Sequence, residues 1–228
     1  MREKKYGIGN RLTAFLAIAL FAFVGVVNAQ DADVEINGEA SHVEVLQPDE
    51  AAGRIADLRK KAKKGDVEAL VALGVAYQEG VLVEKNSKMA ARWYMKAAKR
   101  GNAFAQTMLA DKYCSGRGVK QSYKHCAKWA KKAAASGNPE AQMILANLYK
   151  EGLGVRQNYA RAIELYTSSA EQGETFSMYS LGIMHEQGLG VEKNMENAIE
   201  WYMKAAELDN TLAQERLAKI AGEAESCE

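Results

Sequence analysis

The chain has 228 residues, with 30 Lys+Arg against 29 Asp+Glu and a formal charge of +1. So even a balance argues against nucleic acid as the main partner, because binding phosphates takes a surplus of cations. The length suits one extended domain and leaves no room for a second globular one.

Residues 1–29 read as a secretory signal peptide. Arg2, Lys4, Lys5 and Arg11 form a positive start, Leu12 to Val27 is an apolar run, and Val27-Asn28-Ala29 puts small residues before a cleavage point at Gln30. The run is short for a membrane span, which needs about 20 residues. An uncleaved anchor is the alternative; contact with the membrane is otherwise transient. Cleavage removes four of the 30 basic residues and Glu3 of the 29 acidic ones, leaving 26 against 28. The address this implies is periplasmic or secreted. Residues 30–48 are polar and read as a flexible leader.

Residues 49–64 carry Ile55, Leu58 and Ala62 on one face and lysines near the end, as expected of an N-terminal capping helix. Beyond them the chain repeats every 36 residues. Gly65, Gly101, Gly137 and Gly173 open four units, 65–100, 101–136, 137–172 and 173–208. The columns Gly80, Gly116, Gly152, Gly188 and Val83, Val119, Val155, Val191 do not vary. Such a period marks a solenoid of one supersecondary unit.

Each unit predicts two helices. Ala69, Leu73 and Tyr77 share one face of a first helix; Ala90, Trp93 or Tyr94, and Ala97-Ala98 mark a second. The Gly-x-Gly-Val segments at 116–119, 152–155 and 188–191 turn the chain back. Asn86, Ser122, Asn158 and Asn194 stand where the second helix needs an N-cap, and Asp66, Asn102 and Asn138 where the first does. Alanine columns allow close approach, and the large Trp and Tyr side chains fill the gaps one layer away. Residues 209–228 keep Ala213 and Leu217 in the first-helix columns and predict a C-terminal capping helix and tail.

Units of Ala-x-x-x-Leu-Gly-x-x-Tyr-x-x-Gly followed by Gly-Val, Asn, Ala and Trp-Tyr-x-x-Ala-Ala resemble Sel1-like repeats, a branch of the tetratricopeptide-like α-solenoids. Residues 69–98 and 177–206 match most closely. Cys126, Leu165 and His185 depart from the pattern. The resemblance implies an all-α fold, a right-handed α/α superhelix of about four helix-turn-helix repeats. It implies a protein-interaction scaffold without catalytic chemistry, with a protein or peptide as partner. A cysteine-rich secreted branch has been described as binding or hydrolysing β-lactams, which makes that one alternative; association with a cell-envelope polymer is another.

By the same resemblance the ligand face is lined by the first helices. Its variable columns supply the candidate partner-binding residues Gln106, Thr107, Asp111, Gln142, Met143, Asn147, Met178, Tyr179 and Ile183. Amides and Asp111 suit a peptide backbone, and Tyr179 suits an anchor. The alternative is that some of these columns serve inter-helix packing.

Cys114 and Cys126 flank the turn of the second unit, where antiparallel helices bring such positions within bridging range. The alternative is two buried thiols in an alanine-like core. Cys227 is left over. There is no Ser-x-x-Lys, Gly-x-Ser-x-Gly, His-Glu-x-x-His or Walker loop, so no catalytic residue, cofactor or metal is expected. His42 falls in the leader, His125 beside Cys126 and His185 in the tyrosine column. Lys124, Lys128, Lys131 and Lys132 make a basic stripe, read either as a solvated face or as a patch for an acidic partner or anionic polymer.

Overall fold

A computed structural model describes residues 48–225, so the signal, leader and Cys227 assignments lie outside the described residues. Among the described residues there are ten α-helices and no strand. They fall into two compact units, divided after Gln121.

The first unit holds α1 (Pro48–Lys63), α2 (Val67–Glu79), α3 (Ser87–Lys99) and α4 (Ala103–Ser115); each helix packs against the next. The second holds α5 (Tyr123–Ala135), α6 (Pro139–Glu151), α7 (Tyr159–Ala170), α8 (Thr175–Gln187), α9 (Met195–Glu207) and α10 (Thr211–Glu225), again packed in succession. The expected helix-turn-helix repeats are therefore the observed architecture.

The local signals act as their chemistry requires. Asn86, Asn158 and Asn194 each accept a bond from the backbone N–H three residues on, at 2.9–3.0 Å, and Ser122 does so for His125. Asp66, Asn102 and Asn138 cap the helices that open the first three repeats in the same way, and Asn210 caps the closing helix α10. Glu174 holds this column before α8 and makes no side-chain cap bond. Its longer side chain brings the carboxylate toward the Phe176 N–H without closing a cap bond.

The two glycines of each turn do different work. Gly152, at φ 69°, ends α6 in the left-handed region, with its N–H bonded to the Leu148 carbonyl. Gly154 faces the start of α5: a Cβ there would lie 2.3 Å from the backbone carbonyl of Tyr123. The turn of one repeat thus seats on the second helix of the repeat before it. In the first repeat this column holds Leu82, which takes the same left-handed conformation at φ 63°.

The first unit's core is Leu70, Leu73, Tyr94 and Leu109, with Ala90 and Ala97 at the close approach. The second unit's is Tyr166, Tyr202, Leu181 and Met184. The tryptophans sit further out than expected of gap-fillers. Trp129 is buried, whereas Trp93 and Trp201 are half-buried beneath the ammonium groups of Lys96 and Lys204, at 4.2 and 4.4 Å from the ring centres. A lysine one turn on, at i+3, covers the ring with its charge.

Candidate functional site

The nine candidate residues lie on the helices that open the second, third and fourth repeats, and burial divides them. In the first unit, α4 carries three. Thr107 is fully buried and donates to the Ala103 carbonyl at 3.0 Å; buried Gln106 donates to the Ala98 carbonyl at 3.1 Å. Asp111 is half-exposed and pairs with Arg117 at 2.9 Å. Burial pushes its carboxyl up from the ordinary value, and Arg117 opposes that shift.

Beside it lies a residue that sequence reasoning passed over. Lys112 is 4% exposed. Its column otherwise reads Ala76, Leu148 and Met184, all buried and apolar. Burial lowers the amine from 10.5 to about 8, against the pull of Asp111. The ammonium stands 5.7 Å from the centre of the Tyr94 ring, whose buried hydroxyl has no hydrogen-bond partner. The column comparison marks Lys112 as the exception, so the signal was present in the sequence.

In the second unit, Gln142 and Met143 on α6 are buried, and the Gln142 oxygen accepts from Gln172 at 2.9 Å. Asn147 is half-exposed, and its side-chain oxygen accepts the Tyr166 hydroxyl at 2.6 Å. On α8, Met178 is buried, while Tyr179 and Ile183, one turn apart, are half-exposed. The Tyr179 ring lies 6.1 Å from Phe176 and 5.6 Å from Tyr202. Tyr202 donates to Glu186 at 2.6 Å, and Arg216 of α10 clasps the same carboxylate. That guanidinium holds the Glu186 carboxyl below its usual range. The structure therefore groups Asn147 on one helix and the Tyr179–Ile183 pair on another as accessible side chains, and commits the remaining polar candidates to internal bonds.

Cys114 and Cys126 are each disulfide-bonded. A cystine sulfur is no nucleophile, so Cys126 forms no thiolate pair with His125, which is exposed and bonded through Nδ1 to Ser122 at 2.9 Å. His185 is half-buried, as its place in the tyrosine column suggests. Among the described residues no group of three or more His, Cys, Asp or Glu side chains is placed to hold a metal, and no helix is long and apolar enough to cross a membrane.

No curated protein matches the chain. Solved structures do. A protective antigen present in uropathogenic Escherichia coli strains, with an SLR fold, is 37% identical over 72% of this chain at a TM-score of 0.68. This chain spans only 35% of that antigen. A Sel1 repeat protein from Oxalobacter formigenes is 31% identical over 75% of this chain and 73% of its own, at a TM-score of 0.65. The Sel1 repeat family model matches residues 67–102, 103–138, 139–174 and 175–210, two residues out of phase with the opening glycines. With four consecutive repeats matched, and each observed turn and cap in the corresponding place, the chain belongs to the Sel1 repeat family.

Proposed function

We propose that the protein is an exported, non-catalytic adaptor that binds a protein or peptide through the helices opening its repeats. Sel1 repeat proteins are generally interaction scaffolds without catalysis. The observation that carries the reading here is the Tyr179–Ile183 pair. An aromatic and a branched aliphatic side chain, one turn apart and half-exposed, stand on a helix whose intervening residues Ser180, Leu181 and Gly182 are buried. Aromatic anchors flanked by well-packed neighbours dominate the energetics of protein interfaces. The Asn147 oxygen accepts from Tyr166 and its nitrogen donates to the Met143 sulfur at 3.6 Å, which leaves one amide hydrogen for a backbone carbonyl.

Crosslinking of the tagged protein in cells, followed by mass spectrometry, identifies the partner. Replacing Tyr179 and Ile183 with alanine should abolish most of its capture while circular dichroism retains the helical signal. Capture at the wild-type level by the folded double variant overturns the assignment of this face. Export is tested by the mass of the protein recovered outside the cytoplasm, which should begin at Gln30. Failure of the purified protein to turn over a chromogenic β-lactam is expected of a non-catalytic scaffold; turnover abolished by a single substitution would refute it.

A further inference from the structure

A cavity of about 570 Å³ opens in the second unit between α5 and the turn joining α6 to α7. Sites for small ligands and peptide side chains commonly have volumes of about 300–1,000 Å³. Lys131 comes from α5, Tyr149 from the end of α6, and Val155, Arg156, Gln157 and Asn158 from the turn. Two of the lining residues are cationic and none is acidic. The Lys131 ammonium stands 5.7 Å from the centre of the Tyr149 ring, and neither Lys131 nor Arg156 enters an ion pair among the described residues.

The other repeats serve as an internal control. The Lys131 column holds Met95, Thr167 and Met203, and the Arg156 column holds Glu84, Lys120 and Glu192. The turn therefore tolerates either charge, and α5 tolerates an uncharged side chain at this place. The cations are not needed to build the repeat. The corresponding place one repeat on would present Thr167 and Glu192, with one charge lost and the other reversed. Helix α5 adds Lys124, Lys128 and Lys132, and has no acidic residue. Of the other second helices, α7 and α9 carry glutamates, while α3 also lacks an acidic residue; the pairing of Lys131 with Arg156 is what sets this place apart.

We propose that this cavity is a carboxylate-binding site that takes an acidic segment of a peptide. Arg156 offers a planar fork matched to a carboxylate, and Lys131 a point charge across the cavity. Tyr149 and Val155 supply apolar walls for the carbon chain bearing the acid. On the rim the Gln157 nitrogen is bonded to the Lys150 carbonyl and the Tyr159 hydroxyl and the Asn158 oxygen caps α7, which leaves the Gln157 oxygen and the Asn158 nitrogen for a peptide backbone. That mix of apolar wall and amide rim favours a peptide over an inorganic or sugar-borne phosphate. The site lies apart from the Tyr179–Ile183 pair, and its ligand need not be the adaptor's main partner.

Titration calorimetry on the full chain at low salt provides the test, with three probes. The first is a short oligoglutamate peptide amidated at its C-terminus; the second is a neutral peptide with a free C-terminus; the third is inorganic tripolyphosphate. Arg156→Glu and Lys131→Met install residues that other repeats of this chain already hold, so both variants should fold. Lys219→Glu reverses an exposed charge on α10 and controls for net charge. The expected result is binding of the oligoglutamate, weakened at least about fivefold by either cavity variant and unaffected by Lys219→Glu. Equal binding of the neutral peptide, with the same variant sensitivity, supports the same chemistry with a chain terminus as its source. The proposal is overturned if neither peptide binds, if Lys219→Glu weakens binding as much as Arg156→Glu, or if tripolyphosphate binds more tightly than both peptides. Because no variant touches Tyr179 or Ile183, failure here leaves the adaptor reading standing.

Discussion

Lys112→Met should make the protein more stable, by an amount that depends on pH. The amine titrates at about 8 in the folded chain and at 10.5 when unperturbed. Below pH 8 both states carry the charge, and the folded state bears the full cost of burying it. A shift of this size corresponds to about 3 kcal/mol, at 1.36 kcal/mol per pKa unit. Between pH 8 and 10.5 the unfolded chain holds a proton that the folded chain lacks, so wild-type stability rises with pH; above 10.5 the cost is gone. Methionine occupies the same column at 184, is of similar length and carries no charge to desolvate. It forgoes the ammonium's attraction to the Tyr94 ring, worth about 0.5–1 kcal/mol. The variant should therefore exceed the wild type by about 2–3 kcal/mol at pH 7, narrowing to less than about 1 kcal/mol at pH 10. Urea unfolding of both proteins at pH 7, 8, 9 and 10, with disulfides kept oxidised, gives the difference directly, because groups common to both cancel. A variant no more stable than the wild type at pH 7, or a gain that does not shrink on raising the pH, would refute the reasoning.

Three further outcomes follow from the turns, the caps and the cystines. Gly154→Ala should cost about 3 kcal/mol or more, combining left-handed strain with a Cβ driven into the Tyr123 backbone. Gly137→Ala, at φ 80° with open space around the new methyl, should cost only about 1 kcal/mol, and urea midpoints of the two variants compare them. Glu174→Asn gives α8 the cap that the other opening helices have and removes a carboxylate whose pKa burial has raised, so melting should show a gain of about 1 kcal/mol. Pairing of Cys114 with Cys126, as the spacing suggested, should appear as a linked peptide in a non-reducing digest, and reduction should lower the urea midpoint by an amount equivalent to about 2–3 kcal/mol.

Period, helix pairs, caps and turns were legible because each is a local rule repeated in step. Asn86 caps for the same reason that Asn158 does, and four repetitions make a weak propensity into a strong signal. The candidate face was less legible. A variable column signals a function only if its side chains are free, and variation also arises from packing. Gln106, Thr107 and Gln142 vary among repeats yet spend their polar atoms inside the protein. The cavity at Lys131 and Arg156 was hidden for another reason. Its two cations come from segments 25 residues apart in sequence, and the basic stripe of α5 looked complete without Arg156.

The tyrosine column of the second helices shows how a repeat absorbs a polar atom in its core, and it yields a graded prediction. Tyr94, Tyr166 and Tyr202 are all fully buried, so their rings contribute alike, but their hydroxyls meet different neighbours. Tyr202 bonds to Glu186, Tyr166 to Asn147, and Tyr94 to nothing. The difference lies in the first helices: the Asn147 column holds apolar Val75 in the first repeat, and Gln78, in the Glu186 column, bonds to Glu79 instead. Removing a hydroxyl that donates to a carboxylate should cost about 1.5–3 kcal/mol, and one that donates to a neutral amide about 1 kcal/mol. Removing an unpartnered buried hydroxyl should cost nothing and should return about 1 kcal/mol of desolvation. Tyr202→Phe, Tyr166→Phe and Tyr94→Phe should therefore rank in that order, from most to least destabilising, with Tyr94→Phe at or above wild-type stability. Urea unfolding at pH 7 resolves the three. A Tyr94→Phe loss as large as that of Tyr166→Phe would mean that its hydroxyl is satisfied in solution, and that Lys112 and Tyr94 are less thoroughly desolvated than their burial implies.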